Sequence, residues 1–155
     1  MGRRLCYAEL RERAWNTGLP WDEEAERGAI GALLLAPREH AVKLARRARG
    51  HYFLLKPHGW LWGRLTYAIT QKRLDIGDNG DFQYWAARER IVRKFRQRYH
   101  QSIVPIAERC LEAGMWWHGP WYIQRVIEAA KARIRIVQSA EHFKQAIDAA
   151  ERWIE

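Results

Sequence analysis

The chain has 155 residues, 48% of them apolar, with nine tryptophans, two cysteines and a formal net charge of +9. That length and composition suit one domain that removes roughly 70% of its unfolded-chain surface from water without disulfides or metals, which excludes a wholly disordered tail. The longest uncharged apolar stretch, Ala29 to Ala36, is eight residues, far short of the roughly 20 a membrane-spanning helix needs. Charge is unevenly spread: Lys43 to Arg98 holds 14 Lys and Arg against 4 Asp and Glu, while the flanks are almost neutral. A basic middle between neutral ends points to a polyanionic partner.

The expected fold is mainly α, a single helical bundle over residues 1–155, with a small β-hairpin between 51 and 84 as an open alternative. Residues Arg4 to Asn16 read as the first helix, stopped by Thr17-Gly18-Leu19-Pro20. Asp22 is placed to cap the next helix, with Glu23, Glu24 and Glu26 in its first turn and Ala29 to Ala36 as its buried end. Pro37 suits the first position of a third helix running through Arg49. Its Ala41, Leu44, Ala45 and Ala48 fall on one side, and Lys43, Arg46 and Arg47 on the other. Gly50 ends it.

From His51 to Tyr84 two readings compete. Hairpins would turn at Lys56-Pro57-His58-Gly59 and at Asp78-Asn79-Gly80; the preferred alternative is a helix from about Trp60 to Lys72 followed by a loop. Asp81 begins an amphipathic helix with Trp85, Ile91, Val92, Phe95 and Tyr99 in one arc and Arg90, Arg93, Lys94, Arg96 and Arg98 in the other. Arg88 falls inside the apolar arc, where it snorkels, pairs with a buried acid or points into an internal groove. A short helix over Ser102 to Ala113 follows, and Gly114 to Pro120 breaks the chain. Ile123, Ile127, Ala130, Ile134 and Val137 form an apolar seam, but the seam then shifts to Ala140, Phe143, Ile147, Ala150 and Ile154. The shift predicts a new helix, capped by Ser139 and folded back as a hairpin, with one kinked helix as the alternative.

Two basic faces with almost no interleaved acid carry the functional reading. Lys43, Arg46, Arg47 and Arg49 on one helix, and Arg88, Arg90, Arg93, Lys94, Arg96 and Arg98 on another, are the expected contacts to RNA or DNA phosphates, where binding gains free energy by releasing counterions. Trp60, Trp62, Trp85, Trp116, Trp117 and Trp121 either stack on bases or pack cores; Trp116, Trp117 and Trp121 are the expected protein interface. Asp75, Asp78 and Asp81 are spaced by three, unlike a calcium loop, and read as turn and cap residues. Cys6 and Cys110 have no metal-ligand spacing, the histidines form no ligand pair, and no nucleophile or phosphate-loop motif occurs. No catalytic residue, metal or cofactor is therefore expected. Tyr7, Glu9 and Glu12 interrupt the apolar core a signal peptide would need, so a cytoplasmic location with reduced thiols is expected.

Arg13-Ala14-Trp15, Arg27-Gly28-Ala29-Ile30-Gly31-Ala32-Leu33 and Tyr52-Phe53-Leu54-Leu55-Lys56-Pro57-His58-Gly59-Trp60, in that order, resemble the small subunit of type I-E CRISPR effector complexes (Cascade). Ile106-Ala107-Glu108-Arg109-Cys110-Leu111-Glu112-Ala113-Gly114 resembles the same family's helix before its C-terminal bundle. The patches cover about a third of the chain. The resemblance implies a non-catalytic helical subunit that contacts guide-RNA and target-DNA backbones, beside other subunits and adjacent copies of itself. One departure is that the family's arginine pair after the Ala-x-Leu step is replaced here by Leu34 and Leu35, which moves that role to the Lys43 to Arg49 face. The competing reading is a small phage or plasmid regulator that docks on an acidic protein surface through the same charge and an exposed tryptophan centre.

Overall fold

The computed structural model describes residues 5–71 and 91–154, and every regular element among them is helical. The order is α1 (Tyr7–Asn16), α2 (Glu23–Leu35), α3 (Arg38–Ala45), α4 (Lys56–Thr70), α5 (Ile91–Tyr99), α6 (Val104–Ala113) and α7 (Gly119–Ile154), with short 3₁₀ turns at Gly50–Tyr52 and Trp116–His118. The mainly α bundle is thus observed. None of the described helices is long and apolar enough to cross a membrane.

Helix α2 is the centre. It starts where Asp22 accepts a hydrogen bond from the Ala25 N–H at 2.9 Å, and all of it except Glu24, Arg27 and Leu35 is buried. A helix buried nearly all round needs neighbours on every side, and α3, α4, α6 and α7 all pack against it. Small residues allow the closest of these approaches. A Cβ on Gly31 would run into the Cys110 carbonyl of α6, and one on Gly28 into the Tyr122 ring of α7. Large apolar side chains from the surrounding helices, among them Trp62, Leu65, Phe95, Ile106 and Ile123, complete the core.

The acids at the start of α2, except the exposed Glu24, are used internally. Glu23 accepts from the Arg11 guanidinium at 2.5 and 3.1 Å, and Asp22 pairs with Arg125 at 2.5 Å. Glu26, fully enclosed, accepts from the Leu54 N–H at 2.7 Å, the Leu55 N–H at 3.4 Å and the His58 Nδ1–H at 3.0 Å. On the far side of the imidazole the Tyr7 hydroxyl lies 3.0 Å from Nε2. Burial raises the Tyr7 pKa, so its O–H stays protonated and donates to Nε2; a neutral His58 carrying its proton on Nδ1 then satisfies the whole chain. Tyr7, His58 and Glu26 are each under 5% exposed, so this is an internal polar clasp closed to any substrate.

Three expectations need correction. The third helix ends at Ala45, not Arg49: Arg49 is extended, the Trp62 indole N–H takes the Ala48 carbonyl at 3.0 Å, and the Gly50 backbone packs directly on Gly59. Lys56-Pro57-His58-Gly59 is no hairpin turn but the first turn of α4, where Pro57 loses nothing by lacking an N–H. Residues 119–154 form one continuous helix and not a hairpin broken at Ser139. Between Trp121 and Ile154 there is neither Gly nor Pro, so nothing stops the helix, and the shifted seam marks a change of face. The first helix does end as expected, at Asn16, with Gly18 at φ +65°. The second hairpin option, Trp85, Arg88, Arg90 and the three aspartates Asp75, Asp78 and Asp81 lie outside the described residues.

Candidate nucleic-acid interface

Lys43 in the last turn of α3 and Arg47 in the turn that follows it stand four residues apart, both exposed. The buried Leu44 of α3 receives Gly119, the first residue of α7, so closely that a Cβ there would collide with the leucine side chain. This contact presses the preceding 3₁₀ turn, Trp116–His118, against α3. The result is a cleft of about 330 Å³ with His40, Lys43 and Arg47 on one wall and Trp116, Trp117 and Pro120 on the other, Leu44 completing the lining. The His40 and Trp116 rings lie 4.8 Å apart, and Trp117 stands edge-on to Trp116 at 5.9 Å. Trp117 is 60% exposed, whereas Trp116 is half-buried, so only one of the pair offers an open ring face.

The basic residues expected to act as one surface are distributed over three hollows. Arg46 and Arg49 line a second groove with Thr66 and Thr70 on α4 and Gln71 at its C-cap. Arg98 lines a third, beside Lys56 and Tyr99, with its guanidinium 5.8 Å from the Tyr99 ring. Arg93, Lys94 and Arg96 are exposed on α5, whose other face buries Ile91, Phe95 and Tyr99 against α4 through the Trp60 ring. Burial also raises the Tyr99 pKa, which keeps this hydroxyl neutral beside the arginines. Trp121 is exposed but stands outside the cleft lining, covered at 4.6 Å by the Arg125 guanidinium.

Lys43, Arg46, Arg47, Arg49, Arg93, Lys94 and Arg96 have no ion-pair partner among the described residues. Asp22, Glu23 and Glu26 are engaged inside the fold, while Glu24 on α2 and Glu39 on α3 remain exposed and unpaired with these cations. Their positive field is therefore presented to solvent, where it attracts polyanions and supplies the counterion-release term. Beside two of those charges an indole face is available for stacking.

Sequence reasoning treated the charges and tryptophans as separate sites and, because the Glu39 and His40 side chains point about 100° apart on a helix, gave His40 no role. His40, Lys43 and Arg47 follow a spacing of three and four, so the helical stripe was present in the sequence. Among the described residues no three His, Cys, Asp or Glu side chains come together as a metal site. Compared with protein-family models, curated proteins and solved structures, the chain matches none.

Proposed function

We propose that this chain is a non-catalytic, cytoplasmic subunit that holds nucleic-acid backbone within a larger nucleoprotein complex, in the manner its resemblance to the Cascade small subunit implies. The observation that carries the reading is the cleft in which the unpaired Lys43 and Arg47 face the exposed Trp117 ring. Cations at this spacing bind phosphates and position a strand without reading its sequence, and an adjacent indole takes an unpaired base. The groove at Arg46 and Arg49 and the face of α5 add further exposed positive charge.

The test is the affinity of the purified chain for mixed-sequence single-stranded DNA, duplex DNA and RNA across a salt series. Four to seven phosphate contacts give a logarithmic salt slope of about −3 to −5 on single strands, with little sequence preference. Absence of binding at low salt overturns the reading. In that case the exposed Met115, Trp117 and Trp121 side chains around the same turn favour the second one, docking on an acidic protein surface with the tryptophans as anchors.

A further inference from the structure

The groove between the end of α3 and α4 has walls that the fold itself holds in place. The Trp62 indole N–H takes the Ala48 carbonyl at 3.0 Å, and Gly50 lies so close to Gly59 that a Cβ on either would strike the carbonyl oxygen of the other. These two contacts pin the segment 45–50 against α4. Trp62, Thr66 and Thr70 recur at steps of four, so the stripe that takes Ala48 continues as the threonine wall of the groove. Arg46 and Arg49 supply its cations, both exposed and without an ion-pair partner among the described residues. The hollow measures about 600 Å³, against about 330 Å³ for the tryptophan cleft.

The threonines decide what the groove takes besides a phosphate. Thr66 Oγ1 donates to the Gly63 carbonyl at 3.1 Å, and Thr70 Oγ1 donates to the Thr66 carbonyl at 2.6 Å. A carbonyl only accepts, so each hydroxyl hydrogen is committed to the helix and each hydroxyl leaves lone pairs for the groove. Lone pairs repel a phosphate oxygen and accept from a donor. In a nucleic-acid backbone the only such donor is the ribose 2′-hydroxyl, which DNA lacks. No aromatic side chain lines the groove among the described residues, so it has no platform for a base and meets sugar and phosphate alone.

We infer that this groove distinguishes RNA from DNA: Arg46 and Arg49 hold a phosphate while Thr66 and Thr70 accept from the 2′-hydroxyls of the adjoining riboses. The preference presupposes the backbone binding proposed above, and neither that function nor the resemblance makes the choice, since both take in RNA and DNA alike. The two guanidinium groups bind the phosphates of either polymer, so they supply affinity and salt dependence without selecting the sugar. The threonine oxygens add a hydrogen bond that only a ribose completes. Because Trp62 and Gly59 fix the walls before any ligand arrives, cations and acceptors keep their separation, and binding RNA costs no rearrangement of the groove.

Oligouridylate and oligodeoxyuridylate of equal length differ only at the 2′ position, and fluorescence anisotropy with the full chain reads the affinity of each. The unaltered chain should bind the ribo form about 2- to 12-fold more tightly for each hydrogen bond made. The 2′-fluoro form, which keeps the ribose pucker without a donor, should bind like the deoxy form. Thr66→Val combined with Thr70→Val removes both acceptors at nearly the same shape, so the ribo form should fall to deoxy affinity while the deoxy form binds as before. Equal binding of ribo and deoxy forms by the unaltered chain, a 2′-fluoro form bound as tightly as the ribo form, or a preference kept by the double variant would overturn the inference and leave backbone binding standing. No binding of any of them at low salt would overturn both. The 2′-fluoro comparison uses no variant, so it decides the matter even where the valines disturb the fold.

Discussion

Replacing Lys43 and Arg47 together by glutamine removes both charges of the tryptophan cleft and leaves its walls nearly the same size. Each phosphate contact contributes about −0.7 to the logarithmic salt slope on a single strand and about −0.9 on duplex DNA, so the double variant should lose about 1.4 or 1.8 of the slope. Between 50 and 200 mM salt, a fourfold range, wild-type affinity should therefore fall about 7-fold further than the variant's on single strands and about 12-fold further on duplex. Trp117→Ala has a different signature. Loss of one stacked base costs about 1–3 kcal/mol, or about 5- to 150-fold in affinity, at every salt concentration and with the slope unchanged. Fluorescence anisotropy over a salt series separates the two effects, and Arg109→Gln on the exposed side of α6 controls for net charge alone. A double variant with the wild-type slope, or a Trp117→Ala chain with wild-type affinity for single strands, would refute the assignment of this cleft.

Gly31→Ala should destabilise the protein by about 3 kcal/mol, because its methyl meets the Cys110 carbonyl backbone and α2 and α6 must part; a melting temperature lower by about 6–12 °C checks it. Gly63→Ala, at an open position inside α4, should raise stability by about 0.5–1 kcal/mol in the same assay. Glu26→Gln sets an amide N–H against the donors of Leu54 or His58 and should cost about 2–4 kcal/mol in urea unfolding. Burial pushes the Cys110 thiol up to about 12, so iodoacetamide at pH 8 should modify Cys6 alone in the folded protein and both thiols once it unfolds, as intact mass will report. Tyr7 and Cys110 are both raised above their ordinary values of 10.0 and 9.0, so the folded chain keeps protons that the unfolded chain releases. Their stabilisation is complete below about pH 9 and declines above it, and urea midpoints measured from pH 7 to 11 should stay level and then fall.

Local rules carried the fold a long way. The Gly18 stop of α1, the Asp22 cap of α2 and the apolar arc of α5 all follow from residue chemistry within one or two turns, and each stands where the sequence places it. What local rules did not supply came from tertiary partners. Nothing within residues 37–50 says that an indole 14 positions on will take the Ala48 carbonyl and end the helix early. The seam shift after Val137 looks like a turn only on the premise that an apolar stripe must stay on one face of the bundle; with no Gly or Pro to stop it, the helix continues and the stripe moves to an exposed face. The cleft was hidden from local rules as well. Its charges and rings are more than 65 residues apart in sequence and meet only because Gly119 admits Leu44.

Of the patches that resemble the Cascade small subunit, the first leaves Arg13 and Trp15 exposed, while the other three meet around α2. Gly31, in the second patch, accepts the Cys110 backbone of the last patch, while Glu26, just ahead of the second, clasps Leu54, Leu55 and His58 of the third. The resemblance therefore resides in the residues that set helix contacts, and it bears on architecture more directly than on ligand contacts. Where the family carries arginines after the Ala-x-Leu step, this chain has Leu34 in the core and Leu35 at the exposed end of α2. A charge at Leu34 would need a buried partner, and the engaged acids Glu23 and Glu26 lie about 12 Å or more away along α2. The exposed cations nearest in sequence are Lys43 on α3 and Arg47 in the turn after it, and they have what arginines on α2 would lack, an exposed indole beside them. Under the proposed function, substitution of the α3 cleft and not of the α2 terminus should abolish backbone binding.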